Sequence, residues 1–302
     1  MSVVRPGDVH RLLARLRAGT RLALRAAGGG LVDFYNSDNL TFAASIAYYA
    51  LLSLFPFLLI VFYVLDRITV GRHEATLLQI LVQAMPGRFD FFVTQVPELE
   101  RMGLTIGIAG FVLAVWASMG VFGAITSAVN SAWGVETRPS FLKHKLIAFT
   151  MLLAAGVLMM AALLLVSAVQ MAEARWFARV IVFAPVLDTL RGLALRVAPT
   201  PLFVLVVGLI YYYAPNAKVR LRDVWLGAVL AGLLWRAAFA GFSGYIGDLS
   251  RFSVHGSASA IVVFLVWVYL SAVIFLYGAE VSAAHARLRK HVPAGAPAAA
   301  PR

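Results

Sequence analysis

Apolar residues occur along this chain in long, nearly uninterrupted runs. The first is Leu40 to Leu65, which contains no charged residue and is fenced by Asp38 and Asp66. About 20 apolar residues are enough for a helix to cross the hydrocarbon core of a bilayer, so this run predicts a tilted transmembrane helix. It is too long for the core of a signal peptide, about 7–15 residues, and is expected to stay as an anchor. Five further runs, near 103–128, 146–171, 195–214, 224–246 and 257–284, read the same way. The pattern predicts an all-α integral membrane protein, a bundle of six transmembrane helices with amphipathic interfacial helices. The interfacial pieces are expected at 74–85 and 89–98, on either side of Pro86-Gly87. Within residues 172–197, Trp176 to Leu187 is apolar but interrupted by Arg179 and Pro185 and too short to cross comfortably, which predicts a further interfacial or re-entrant helix.

Ahead of the first span the pattern changes. On a helical wheel at about 100° per residue, Arg11, Arg15, Arg17, Arg21 and Arg25 share an arc of about 160°. Val9, Leu12, Leu13, Leu16 and Leu24 fall on the other side. Residues 9–28 therefore predict a basic amphipathic helix suited to the anionic lipids of the cytoplasmic leaflet. Gly28, Gly29 and Gly30 are expected to break it. The chain then divides into a basic N-terminal segment at 1–32, a transmembrane domain at 33–286 and a Pro/Ala-rich, disordered cytoplasmic tail at 287–302.

Polar and small residues within the spans carry the remaining information. Span 1 holds Tyr48, Tyr49, Ser53 and Pro56, so one side of it is expected to face protein or a cavity. In span 2, Gly103, Gly107, Gly110, Ala114 and Ala117 recur at steps of three or four, which places them on one helix face. Small residues let membrane helices approach closely, and this helix is expected at the centre of the bundle. Thr126, Ser127 and Asn130 at its end read as helix-packing hydrogen bonds. Arg236 lies roughly 20 Å into span 5, beyond the midplane. Glu280 lies near the inner end of span 6, about 15 Å from that level, too far for a direct pair with Arg236. Glu280 is expected to pair with basic residues on the inner side or to act as a proton site. Charges inside a membrane are costly and mark a pathway or a partner. Tyr48, Tyr49, Ser53, Arg236 and Glu280 are thus the candidate intramembrane polar site.

Composition sharpens this picture. The chain is 61% hydrophobic and 13% charged, against about 45–50% and about 25% in a soluble domain. Its net charge of +12 suits either nucleic acid or a membrane orientation bias. Of the 26 Lys and Arg, 16 fall on the side of the two termini, with only five acids there; nine fall on the other side, with eight acids. The excess is one-sided, so both termini are expected in the cytoplasm and no nucleic acid is needed to explain it. The chain has no cysteine, and its six histidines show no metal-binding spacing. No phosphate-binding loop or nucleophile elbow is present. No catalytic residue, metal or cofactor is expected, and the chain reads as a non-enzyme.

Four segments, in order, carry a resemblance: LTFAASIAYYALLSLFPFLL after Asp38, then VWASMGVFGAITSAVNSAWGVETRPSFLKHKL, YYYAPNAKVRLRDVWLGAVLAGLLW and GSASAIVVFLVWVYLSAVIFLYGAEVSAA. Together, over residues 33–286, they resemble the YihY / virulence factor BrkB family of bacterial inner-membrane proteins. The resemblance implies six transmembrane helices and a cytoplasmic-membrane location, without an established activity. Members have been labelled ribonuclease BN, serum-resistance factors and transporters. A metal-dependent nuclease needs clustered His and Asp ligands, which this sequence does not display. Members often carry an acidic residue after the tryptophan of span 5, where this chain has Arg236 after Trp235. The expected function is translocation of an envelope lipid or anionic solute without an intrinsic ATPase. The alternative is a non-transporting scaffold or envelope-integrity factor, and an intramembrane enzyme ranks last. The expected partners are anionic lipids, and a second copy or an envelope protein.

Overall fold

A computed structural model of the protein describes residues 6–68, 108–135, 146, 149–150, 199–249 and 257–291. Six helices are defined among them: α1 (Pro6–Asn36), α2 (Asn39–Ile68), α3 (Ile108–Ala132), α4 (Pro199–Tyr213), α5 (Leu221–Leu249) and α6 (Ser257–His291). The described residues contain no strand. Four helices match expected spans to within a few residues wherever their ends are described, and α2 runs on through Pro56. α6 continues to His291, seven residues past its expected end, so that residues 287–291 of the expected disordered tail are helical. The expected interfacial pieces at 74–98, the segment 172–197, the tail after His291 and most of the expected span at 146–171 lie outside the described residues.

Long apolar sequence explains α5 and α6. Leu221–Gly244 and Ile261–Lys290 are long and apolar enough to cross a membrane, whereas the described apolar parts of α2 and α4, Asn39–Leu54 and Phe203–Tyr213, are shorter. α6 is the hub, because it packs against every other described helix. The small-residue face of span 2 had pointed to α3 as the centre, yet α3 packs mainly on α2 and only secondarily on α6. The reason lies in the second half of α6. There Gly278, Ala279, Ser282, Ala283, Ala284 and Ala286 are all buried, so three other helices can close around its backbone.

The α5–α6 contact is the tightest. A Cβ at Gly227 would overlap the Gly278 carbonyl oxygen and the Ser282 hydroxyl. At Gly278 it would lie 2.8 Å from both Ala231 Cβ and the Gly227 carbonyl oxygen. Close backbone approach of this kind replaces the hydrophobic drive that lipid cannot supply. α4 and α5 form an antiparallel hairpin that steps by one turn: Gly208 lies against Ala228, Val204 against Gly232, and Thr200 against Arg236. Phe203 stacks on Trp235, and Trp235, Phe239 and Phe242 surround Trp267 of α6.

The glycine triplet does not end α1. The helix continues through Gly28–Gly30 to Asn36. A helical Gly costs only about 1 kcal/mol relative to Ala, and a packing contact outweighs that at Gly30. A Cβ there would lie 2.8–2.9 Å from Val281 Cγ2, Cα and N, so only glycine lets α1 cross α6 at this depth. Ala26, Gly30 and Phe34 form the buried stripe of α1. One turn at Ser37-Asp38 then leads into α2, whose Phe42 N–H donates to the Asp38 carbonyl at 3.0 Å.

Substituting Gly227→Ala is expected to lower stability by about 1–3 kcal/mol through overpacking. Gly29→Ala, where nothing lies within 4 Å, is expected to be neutral or to stabilise by about 0.5–1 kcal/mol. Thermal unfolding of both variants in lipid nanodiscs checks this; equal effects would contradict the packing assigned to Gly227.

Candidate functional site

Polar groups gather where α1, α2 and α5 close around the second half of α6. Glu280 is 2% exposed. Asn39, the first residue of α2, is fully buried beside it, and Asn39 Nδ2 donates to Glu280 Oε1 at 2.8 Å and to the Phe34 carbonyl at 3.4 Å. One amide thus joins the end of α1, the start of α2 and α6. The expected basic partner of Glu280 is replaced in its hydrogen bond by this neutral amide, while Arg287 binds Asp33 of α1. Asn39 Oδ1, Ser271 Oγ and His285 Nδ1 are buried with no hydrogen-bond partner among the described residues.

Around this pair, hydroxyls and ions stitch helix to helix. Tyr277 Oη donates to the Ala27 carbonyl at 3.1 Å, and its ring meets Phe34 edge-on. Ser282 Oγ lies 2.9 Å from the Gly278 carbonyl and 3.3 Å from that of Val224 on α5. The fully buried Tyr211 of α4 donates its hydroxyl to the Phe275 carbonyl. Arg289 donates to Asp223 of α5 at 2.8 Å. Each bond satisfies a polar group that would otherwise be costly to bury. At the end of α3, Gly134 takes a left-handed conformation (φ 64°), and the Val135 N–H closes the helix on the Asn130 carbonyl. Asn130 Nδ2 donates to the Thr126 carbonyl at 2.9 Å, and its Oδ1 accepts from the Asn216 N–H at 2.7 Å, which ties α3 to the α4–α5 loop.

A profile of the family described as virulence factor BrkB matches residues 31–302. The chain belongs to that family. Among curated relatives it is 30% identical over 245 residues to a ribonuclease-like protein, YfkH, of Bacillus subtilis, covering 80% of this chain and 88% of that one. It is 28% identical over 261 residues to a UPF0761 membrane protein of Alkalilimnicola ehrlichii, covering 84% of this chain and 57% of that one. A UPF0761 membrane protein of Xanthomonas campestris is 28% identical over 296 residues, 94% of this chain and 66% of the relative. The chain thus spans only part of these UPF0761 relatives. No solved structure matches it. As a member of the BrkB family with long apolar helices, it is a membrane protein. Among its described residues, no three His, Asp or Glu side chains gather as metal ligands.

In this BrkB-family chain the candidate polar residues are distributed rather than gathered. Tyr48 and Tyr49 are in ring contact, but Tyr48 is 57% exposed while Tyr49 lies over Gly120 of α3. Ser53 Oγ donates back to the Ala50 carbonyl at 3.0 Å. Arg236 is exposed on α5 and donates to Thr200 Oγ1 at 2.9 Å. Glu280 is held by Asn39, so these two charged residues have separate partners. Of the small-residue set, Ala117 is buried, Gly110 and Ala114 lie along α3, and Gly103 and Gly107 lie outside the described residues. Asn39 is the residue the sequence did not single out. Its signal was its place: a polar side chain at the mouth of span 1, level with Glu280 near the inner end of span 6.

Asn39→Ala leaves a buried carboxyl group without its donor and is expected to cost about 1–3 kcal/mol. Glu280→Gln keeps an acceptor oxygen and is expected to cost less than about 1 kcal/mol. Unfolding of the Asn39→Ala/Glu280→Leu double variant should cost clearly less than Asn39→Ala and Glu280→Leu measured singly and added. Additive costs would show that the pair is not coupled.

Proposed function

We propose that this protein moves an envelope lipid or an anionic solute across the bacterial inner membrane, without an ATPase of its own. Six transmembrane helices carry out this role, with both termini in the cytoplasm and the Glu280 end of α6 facing inward. The one-sided excess of Lys and Arg supports that orientation.

The observation that carries the reading is the position of Arg236. It stands 15 residues beyond the first residue of α5, about 22 Å along the helix, past the middle of a hydrocarbon core about 30 Å thick. Its side chain is exposed rather than enclosed, and Thr200 anchors it from α4. A guanidinium offers a fork of donors suited to phosphate or carboxylate. A charge at this depth on the outer surface of a hairpin is suited to meet an anionic group that enters the membrane. Glu280 and its neighbours, closed in by three helices, serve as the fixed frame from which the α4–α5 hairpin projects.

Arg236→Ala, expressed at the wild-type level and with unchanged melting, is expected to reduce transfer between leaflets or compartments at least tenfold. Lipid and anionic-solute distributions are compared in wild-type, deletion and variant cells. Distributions unchanged by deletion would remove the transport reading and leave the non-transporting scaffold.

A further inference from the structure

The outward face of α1 is not the face its hydrophobic pattern singled out. The stripe Ala26, Gly30 and Phe34 is taken up by α6. Roughly opposite to it, Arg17, Arg21, Leu24, Arg25, Leu31, Val32 and Tyr35 share an arc of about 120° at about 100° per residue. All seven are exposed, Leu24 at 73% and Tyr35 at 72%. The face is graded. Its first half carries three guanidinium groups in a row about 12 Å long, and its second half is apolar.

We propose that this face of α1 docks on the anionic headgroups of the leaflet that adjoins the C-terminal end of α6, with its apolar half sunk to the acyl boundary. Charge complementarity identifies the occupant. Arg287 and Arg289, close by, bind Asp33 and Asp223, whereas Arg17, Arg21 and Arg25 form no ion pair among the described residues. Three exposed cations followed on the same face by three exposed apolar side chains, Leu31, Val32 and Tyr35, match a surface that is negative outside and oily beneath. A nucleic acid or an acidic polypeptide would satisfy the arginines and leave Leu31, Val32 and Tyr35 in water. Because Gly30 and the Asp33–Arg287 pair fix α1 to α6, lipid binding here also sets how the bundle is seated in that leaflet. The inference is independent of the transport reading.

The chain has no cysteine, so Val32→Cys carries a single spin label in the 302-residue chain. The label's accessibility to oxygen and to a water-soluble nickel chelate is measured in vesicles of phosphatidylcholine alone and with phosphatidylglycerol. The expected result is a lipid-buried label with phosphatidylglycerol and a more watery one without it. Each arginine is worth roughly fivefold beside an anionic surface. Replacing all three with Gln should therefore lower the lipid-bound to water-exposed ratio at least tenfold, and replacing them with Lys should preserve it. A label in water on both vesicles overturns the proposal. So does a label buried equally on both and in the Gln variant, or protection that appears only when RNA or an acidic polypeptide is added.

Discussion

A carboxyl group withdrawn from water must be met by a donor, and Glu280 meets Asn39. This hydrogen bond constrains more than its two residues. Asn39 opens α2 after a turn of two residues from the end of α1, and it also reaches the Phe34 carbonyl. The end of one helix, the start of the next and the second half of a third are therefore set by one amide. The glycines then decide how closely the other surfaces follow. Gly30 lets α1 cross at Val281, and Gly227 with Gly278 lets α5 cross one turn away on the same helix. Within two to three turns, α6 loses its exposure on every side, which a helix facing lipid does not do.

Much of this fold was legible in the sequence, because a long apolar helix announces its length. α2, α5 and α6 lie where long apolar runs placed them, and Glu280 was conspicuous as a charge inside such a run. Other features were hidden for physical reasons. Gly28–Gly30 looked like a break because propensity is local, whereas the contact of Gly30 with Val281 joins residues 251 positions apart. α6 did not look central because its buried small residues are crowded into Gly278–Ala286 rather than spaced along one face of the whole span. Sequence alone does not say whether a Leu or Val faces lipid or protein. Leu24 was grouped with the apolar side of α1 and is instead exposed beside Arg21 and Arg25. For the candidate site, the residue types were legible and their partners were not: Thr200 for Arg236 and Asn39 for Glu280.

The structure separates two kinds of polar residue among these apolar helices. One kind, Glu280, Asn39, Tyr211 and Ser282, is enclosed, and its hydrogen bonds end on neighbouring helices. Such groups hold a bundle in register because leaving any of them unpaired is costly. The other kind, Arg236, is exposed on the α4–α5 hairpin. A fixed frame at one end and an exposed cation farther along a hairpin form the division of labour on which the proposed translocation rests.

The central claim is that the second half of α6 and the second half of α1 form one cooperative unit around Glu280. Native-state amide exchange in lipid nanodiscs, followed as denaturant is added, tests it most directly. The prediction is that residues 276–286 exchange slowest and that residues 26–34 open with them, at the same free energy. Exchange of residues 26–34 through a separate, much easier opening would contradict it.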